Sequence, residues 1–106
     1  MPELFEIPIT ATEPSFKIRT IIEEIELVLR FDWNGRDVRW QISILTATEV
    51  PLLMGLALNI NTELLERFEV PGIPTGRLLL YDTRGGTAEA GRNDLGDRCR
   101  LFYVIP

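Results

Sequence analysis

The apolar positions of this chain alternate with polar ones, most strongly between Ile25 and Ile44. Ile25, Leu27, Leu29, Phe31 and Trp33 hold odd positions, with Glu24, Glu26, Arg30 and Asp32 between them and Val28 as the exception. After Asn34-Gly35 the apolar set passes to even positions: Val38, Trp40, Ile42 and Ile44. A period of two means strands with one face buried, and Asn-Gly supplies the two positive φ angles of a type I′ turn. Under that turn Phe31 faces Val38, Leu29 faces Trp40, Leu27 faces Ile42 and Ile25 faces Ile44. All these side chains then share one face, so Leu29, Phe31, Val38, Trp40 and Ile42 form the expected core stripe, with Asn34 and Gly35 defining its turn. On the opposite face Asp32 meets Asp37 and Arg30 meets Arg39, like against like. Diagonal pairs, or a bulged three-residue loop, would relieve that conflict.

Shorter alternations flank this hairpin. Leu4–Ile9 reads as a strand whose Pro8 favours an edge; Thr10–Ser15 reads as a turn, and Ser15–Thr20 as a second strand. Pro51–Leu58 is apolar throughout, with a glycine at 55, and is expected to be a strand buried on both faces with Gly55 at a bend or bulge. Asn61 or Thr62 offers a cap for one helical turn through Glu63–Phe68. A loop at Val70–Gly76, a strand over Gly76–Thr83, a turn at Arg84-Gly85-Gly86, a polar loop over Ala88–Arg98 and a last strand over Arg100–Ile105 complete the chain. Strands punctuated by turns, with at most one short helical turn, make this an all-β fold: a small β-barrel or sandwich. No repeat or linker divides residues 1–106, which are read as a single domain.

Composition narrows the chemistry. At 106 residues and 45% hydrophobic content the chain can bury a core without staples. Its one cysteine, Cys99, excludes an intrachain disulfide and reads as a small strand residue. A net charge of −5, with no clustered basic face, argues against nucleic-acid binding. No stretch approaches the roughly 20 apolar residues of a membrane span, and the N-terminus lacks the pattern of a signal peptide, so a soluble chain made in the cytoplasm is expected. Ten of the eleven cations are arginine, the residue preferred at desolvated protein contacts.

Histidine is absent, which removes the commonest general base and metal ligand. No phosphate-binding glycine motif is present. Carboxylates are what remain: Glu24 and Glu26 fall on the solvent face of the hairpin, and Glu89, Asp94 and Asp97 match no calcium-loop spacing. No catalytic, cofactor or metal residue is therefore assigned, and a hydrolase built on carboxylates is a distant third reading. Trp33, at the sheet end, either caps the core or protrudes, with Arg36 as a cation–π partner across the turn. A protruding Trp33 makes the alternative function a ligand-binding β-module, stacking on a carbohydrate or similar ring.

The ordered features also resemble a known family. They are Trp33-Asn34 and Trp40, the apolar Leu53-Met54-Gly55, the pair Leu64-Leu65, a Pro-Gly region leading to Gly76-Arg77-Leu78, an acidic turn from Asp82, the segment Arg92-Asn93-Asp94-Leu95-Gly96, and a closing Leu101-x-Tyr103. Together they resemble the small baseplate plug proteins of contractile-tailed bacteriophages, the family typified by a cyanophage plug. The stretch Glu66–Ile73 is longer than that pattern leads one to expect.

The resemblance implies a non-enzymatic virion component at the centre of the tail baseplate, associated with the hub at the distal end of the tail tube. It implies no cofactor. Its expected partners are hub and spike or tube proteins and copies of itself, a trimer or hexamer around the tail axis. An acidic surface would suit a path that a passing polyanion must not stick to. Candidate contact residues are Trp33 and Arg36 at the hairpin end, and Arg92, Asn93, Asp94 and Arg98, which crowd charge into one short loop.

Overall fold

The computed structural model describes residues 4–9, 13–65, 76–86 and 88–105. Seven strands follow in order: β1 (Leu4–Ile7), β2 (Ser15–Ile22), β3 (Ile25–Asn34), β4 (Arg39–Thr46), β5 (Pro51–Ala57), β6 (Arg77–Asp82) and β7 (Cys99–Val104). No helix occurs among the described residues. The expected helical turn over Glu63–Phe68 runs beyond them, and the long stretch Glu66–Ile73 and part of the turn Thr10–Ser15 lie outside them.

The strands form two antiparallel sheets, a meander β2-β3-β4-β5 and a three-stranded sheet β1-β7-β6. They pack as an open sandwich, which settles the choice between sandwich and closed barrel. The core is what the alternation places inward: Leu27, Leu29, Phe31, Trp40, Ile42 and Ile44 from the four-stranded sheet meet Ile7, Leu78, Leu80, Cys99, Leu101 and Tyr103 from the other. β1 sits at a sheet edge, where Pro8 predicts it. The far edge of β6 is covered by the chain that follows β5: Asn61 N–H donates to Leu80 O at 2.8 Å and Leu64 N–H to Leu78 O at 3.0 Å.

The central hairpin keeps its inward face but not its register. Phe31 faces Ile42, Leu29 faces Ile44 and Trp33 faces Trp40. Relative to the type I′ expectation the pairing has moved by an even number of positions, so no side chain changes face. The cause lies at the turn. The Asn34 side-chain oxygen accepts from the backbone N–H of Arg36 at 3.0 Å and of Asp37 at 3.3 Å, an Asx turn that nucleates a loop of four residues, Gly35–Val38. Val38 is thereby removed from the core stripe: it is 64% exposed at a φ of 51°, a conformation that costs a branched side chain about 1–2 kcal/mol. The longer loop also removes the like-charge conflict, because Asp32 now faces Gln41 and Arg30 faces Ser43.

The two-residue turn with both φ positive does occur, one hairpin earlier. Ile22 pairs with Ile25 around Glu23 and Glu24, at φ 50° and 67°. Nothing in Glu-Glu announces it; the position is set by the register of β2 on β3. A second correction concerns β5. Gly55 does sit at a bulge: Ile42 pairs with Leu56 and Ile44 with Leu53, so Met54 and Gly55 oppose Ser43 alone. Gly55 takes φ 65°, and its N–H donates to Ser43 Oγ at 3.0 Å. But β5 is an edge strand with Met54 in solvent, not a strand buried on both faces. Its unbroken apolar run misled because a bulge shifts the alternation partway along.

Candidate assembly surfaces

Trp40 is fully buried and anchors the far end of the sandwich. Its Nε1–H donates to Gly91 O at 3.0 Å, across 51 residues of sequence. Phe16 meets it edge-on at 5.8 Å, and the Arg92 guanidinium lies 5.5 Å above its ring. Trp33 packs against it at 5.5 Å with the rings inclined by 62°. Trp33 is thus half-buried and spends one side of its ring on its neighbour, so it is no free stacking platform. The cation–π partner in this cluster is Arg92 on Trp40 rather than Arg36 on Trp33; Arg36 is exposed at the hairpin end.

The loop 88–98 closes over Trp40 and is held by Arg98. Arg98 Nη1 donates to the buried Asp82 carboxylate at 2.7 Å and to Ala88 O at 3.2 Å. Its Nη2 donates to Glu89 O at 3.0 Å and to Asp94 Oδ2 at 2.9 Å. Asp94 Oδ2 also accepts from Gly91 N–H at 2.7 Å. The chain of contacts therefore runs Asp82–Arg98–Asp94–Gly91–Trp40. Of the four candidate contact residues in this loop, Arg98 and Asp94 turn inward to shape it, Arg92 covers Trp40, and only Asn93 is fully outward. The three carboxylates considered for a cation diverge: Asp94 to Arg98, Asp97 to Arg84 at 3.4 Å, and Glu89 to the Ile60 N–H at 3.1 Å. The role of Asp82 is invisible in sequence, because its partner lies 16 residues away across a loop.

The same contacts make an acid-sensitive joint. Burial pushes the Asp82 carboxyl up, but the Arg84 N–H and the Arg98 guanidinium outweigh it and hold it below the usual carboxylate range. Arg98 and the Gly91 N–H lower Asp94 in the same direction. Carboxyls depressed on folding contribute stability that is complete above their unfolded pKa of about 3.9 and is lost as pH falls through the folded value. Urea melts of the wild type are therefore expected to be flat from neutrality to about pH 5 and to weaken below about pH 4. Asp94→Asn is expected to weaken the protein at neutral pH and to flatten part of that acid limb. A wild-type midpoint unchanged down to pH 2 would refute the assignment.

The outer faces of the two sheets differ in kind. On the four-stranded sheet the exposed part of the outer face is charged and self-paired, Arg19 with Glu26 at 3.7 Å and Arg30 with Asp32 at 3.2 Å, with Lys17 bound to Glu49, around the buried pair Val28 and Leu45. On the three-stranded sheet the centre of that face is apolar, with Arg77, Arg100 and Glu6 at its margin. Leu4, Leu79, Tyr81 and Phe102, with Thr83, line a shallow depression of about 370 Å³, and the Tyr81 and Phe102 rings meet edge-on at 6.5 Å. Leu4 is 61% and Tyr81 50% exposed. Contiguous apolar surface of this kind marks contact with another molecule. The signal was present in sequence: Leu78-Leu79-Leu80-Tyr81 is apolar on both parities, and only Leu78 and Leu80 are needed inside.

No helix among the described residues is long and apolar enough to cross a membrane. The family model described as the cyanophage baseplate Pam3 plug gp18 matches residues 4–106, nearly the whole chain. No curated protein matches the sequence. The chain belongs to this baseplate plug family, and is a structural component of a phage tail.

Proposed function

We propose that the chain acts by assembly alone, without catalysis, at the centre of a contractile-tail baseplate. There it binds the hub and the spike or tube proteins at the distal end of the tail tube, in several copies around the axis, after being built in the host cytoplasm. The observation that carries this reading is the apolar outer face of the three-stranded sheet, on a chain that belongs to the plug family. The exposed residues Arg36 and Asn93, with the rim of Trp33 and Arg92, offer further contact groups near the Trp40 end of the sandwich. Asp94 and Arg98 serve those contacts by fixing the loop from within.

Co-expression with the hub and spike proteins of the same virion tests it. Affinity capture of this chain is expected to recover both in fixed ratio. Arg36→Ala with Asn93→Ala, both exposed, is expected to reduce recovery severalfold while leaving the melting temperature near that of the wild type. A chain that ignores those partners, and whose Trp33 fluorescence responds to an added oligosaccharide, would replace this reading with the ligand-binding one.

A further inference from the structure

We propose that Asn34-Gly35 is a self-modification site: in the folded protein the Gly35 backbone nitrogen closes on the Asn34 side-chain amide, and the asparagine becomes a mixture of aspartate and isoaspartate. The β3–β4 turn alone carries this chemistry, independently of assembly with any partner. The step balances with solvent water as its one co-reactant. Gly35 N bonds to Asn34 Cγ, closing a cyclic imide, and the bond from Cγ to Nδ2 breaks. Gly35 N gives its proton to solvent, Nδ2 takes one from solvent, and ammonia departs. Water then opens the imide at either carbonyl. One opening leaves aspartate on the original main chain; the other leaves isoaspartate, with the main chain rerouted through the former side chain.

Three features of the turn favour ring closure. The nucleophile is accessible: Gly35 is exposed, and among the described residues no hydrogen bond engages its N–H. It has no side chain to crowd the ring, and the nearest atom to a Cβ there would be Trp33 Nε1, at 3.9 Å. The electrophile is placed as well. An Asx turn folds the asparagine side chain back over the peptide that follows it, which holds Cγ beside Gly35 N. Charge development is also provided for. Oδ1 gains negative charge in the tetrahedral intermediate, and it already accepts from the backbone N–H of Arg36 at 3.0 Å and of Asp37 at 3.3 Å. Two fixed donors on the oxygen where charge develops make an oxyanion hole. The leaving nitrogen, Nδ2, donates to Asp37 Oδ2 at 3.2 Å, which keeps the two ends of the amide from changing places. The other asparagines lack this arrangement. Asn59, Asn61 and Asn93 precede Ile60, Thr62 and Asp94, whose side chains crowd the attacking nitrogen. The Ile60 N–H is also bound to Glu89 at 3.1 Å, and the Asp94 N–H to Gly91 O at 3.2 Å. Either product alters the turn. Aspartate sets a second carboxylate against Asp37 where Nδ2 now donates, and isoaspartate lengthens the main chain inside the loop that joins β3 to β4.

Incubation of the purified full chain at neutral pH, native and unfolded in guanidinium chloride, tests the proposal. The peptide containing Asn34 is followed by mass spectrometry, with fragmentation that distinguishes aspartate from isoaspartate. Asn34 is expected to convert severalfold faster in the native chain than in the unfolded one, while Asn59, Asn61 and Asn93 keep their amides in the native chain. Gly35→Ala, with its fold checked by circular dichroism, is expected to convert many times more slowly than the wild type. A native rate equal to or below the unfolded rate means that the turn shields the amide instead of promoting ring closure, and the proposal falls. It falls equally if native Gly35→Ala converts as fast as the wild type. The comparison of native and unfolded wild type uses no variant, so it decides the matter even if Gly35→Ala misfolds.

Discussion

Trp40→Ala is expected to lower the unfolding free energy by about 3–5 kcal/mol. The indole fills the end of the sandwich between Phe16, Trp33 and the loop 88–98. Its removal leaves a cavity and strands the Gly91 carbonyl. Trp40→Phe separates the two contributions: it keeps most of the volume but leaves that carbonyl without its donor, at a cost of about 1–3 kcal/mol. Urea melts followed by circular dichroism measure both, and in either variant Trp33 is the sole indole, so its emission reports the packing around position 40. A Trp40→Phe variant as unstable as Trp40→Ala would mean that packing contributes little beside the hydrogen bond.

Gly96→Ala carries the second large effect. Gly96 lies at φ 85°, and a Cβ there would stand 2.5 Å from the Ile9 carbonyl oxygen. A substituent must therefore both adopt the left-handed region and push backbone against backbone, for a combined cost of roughly 2–4 kcal/mol. Gly55→Ala is the control. Gly55 also has positive φ, 65°, but has nothing within 4 Å of its Cβ position, so it should lose only about 1 kcal/mol. Thermal melts of the two variants side by side measure the steric part by difference. Equal losses would show that conformation alone matters and that the contact between Gly96 and Ile9 can give way.

The alternation along the chain placed the strands and the inward face of the central hairpin, because a period of two constrains parity and nothing else. Register is a separate quantity. It depends on how many residues the loop takes up, and at Asn34 that was decided by one side-chain oxygen bonding the backbone N–H of Arg36 and Asp37. Asn-Gly is compatible with a two-residue and a four-residue connection, so the sequence pattern could not choose. Val38 left the core for that reason alone. The sheet edge at β1 was legible from Pro8, whereas the edge at β5 was hidden by a bulge that disguises half-burial as full burial.

The candidate site was legible in part. The loop 88–98 crowds its charges, and those charges are mostly internal: Arg98 reaches Asp82, buried at 2% exposure at the end of β6. Local sequence shows charge and cannot show whether a tertiary partner consumes it. The apolar outer face escaped for the opposite reason. Leu79, Tyr81 and Phe102 read as ordinary core residues until the inward positions are assigned and found to be filled by their neighbours.

The pairing of β1 with β7 has a consequence for the timing of synthesis. The four-stranded meander joins neighbours in sequence and can close as soon as each strand is made, at low loop-closure cost. Leu4, by contrast, must find Val104, and Ile7 must find Leu101. The three-stranded sheet, and with it the apolar face, does not exist until translation has passed β7. A nascent or truncated chain presents a half-sandwich without that face.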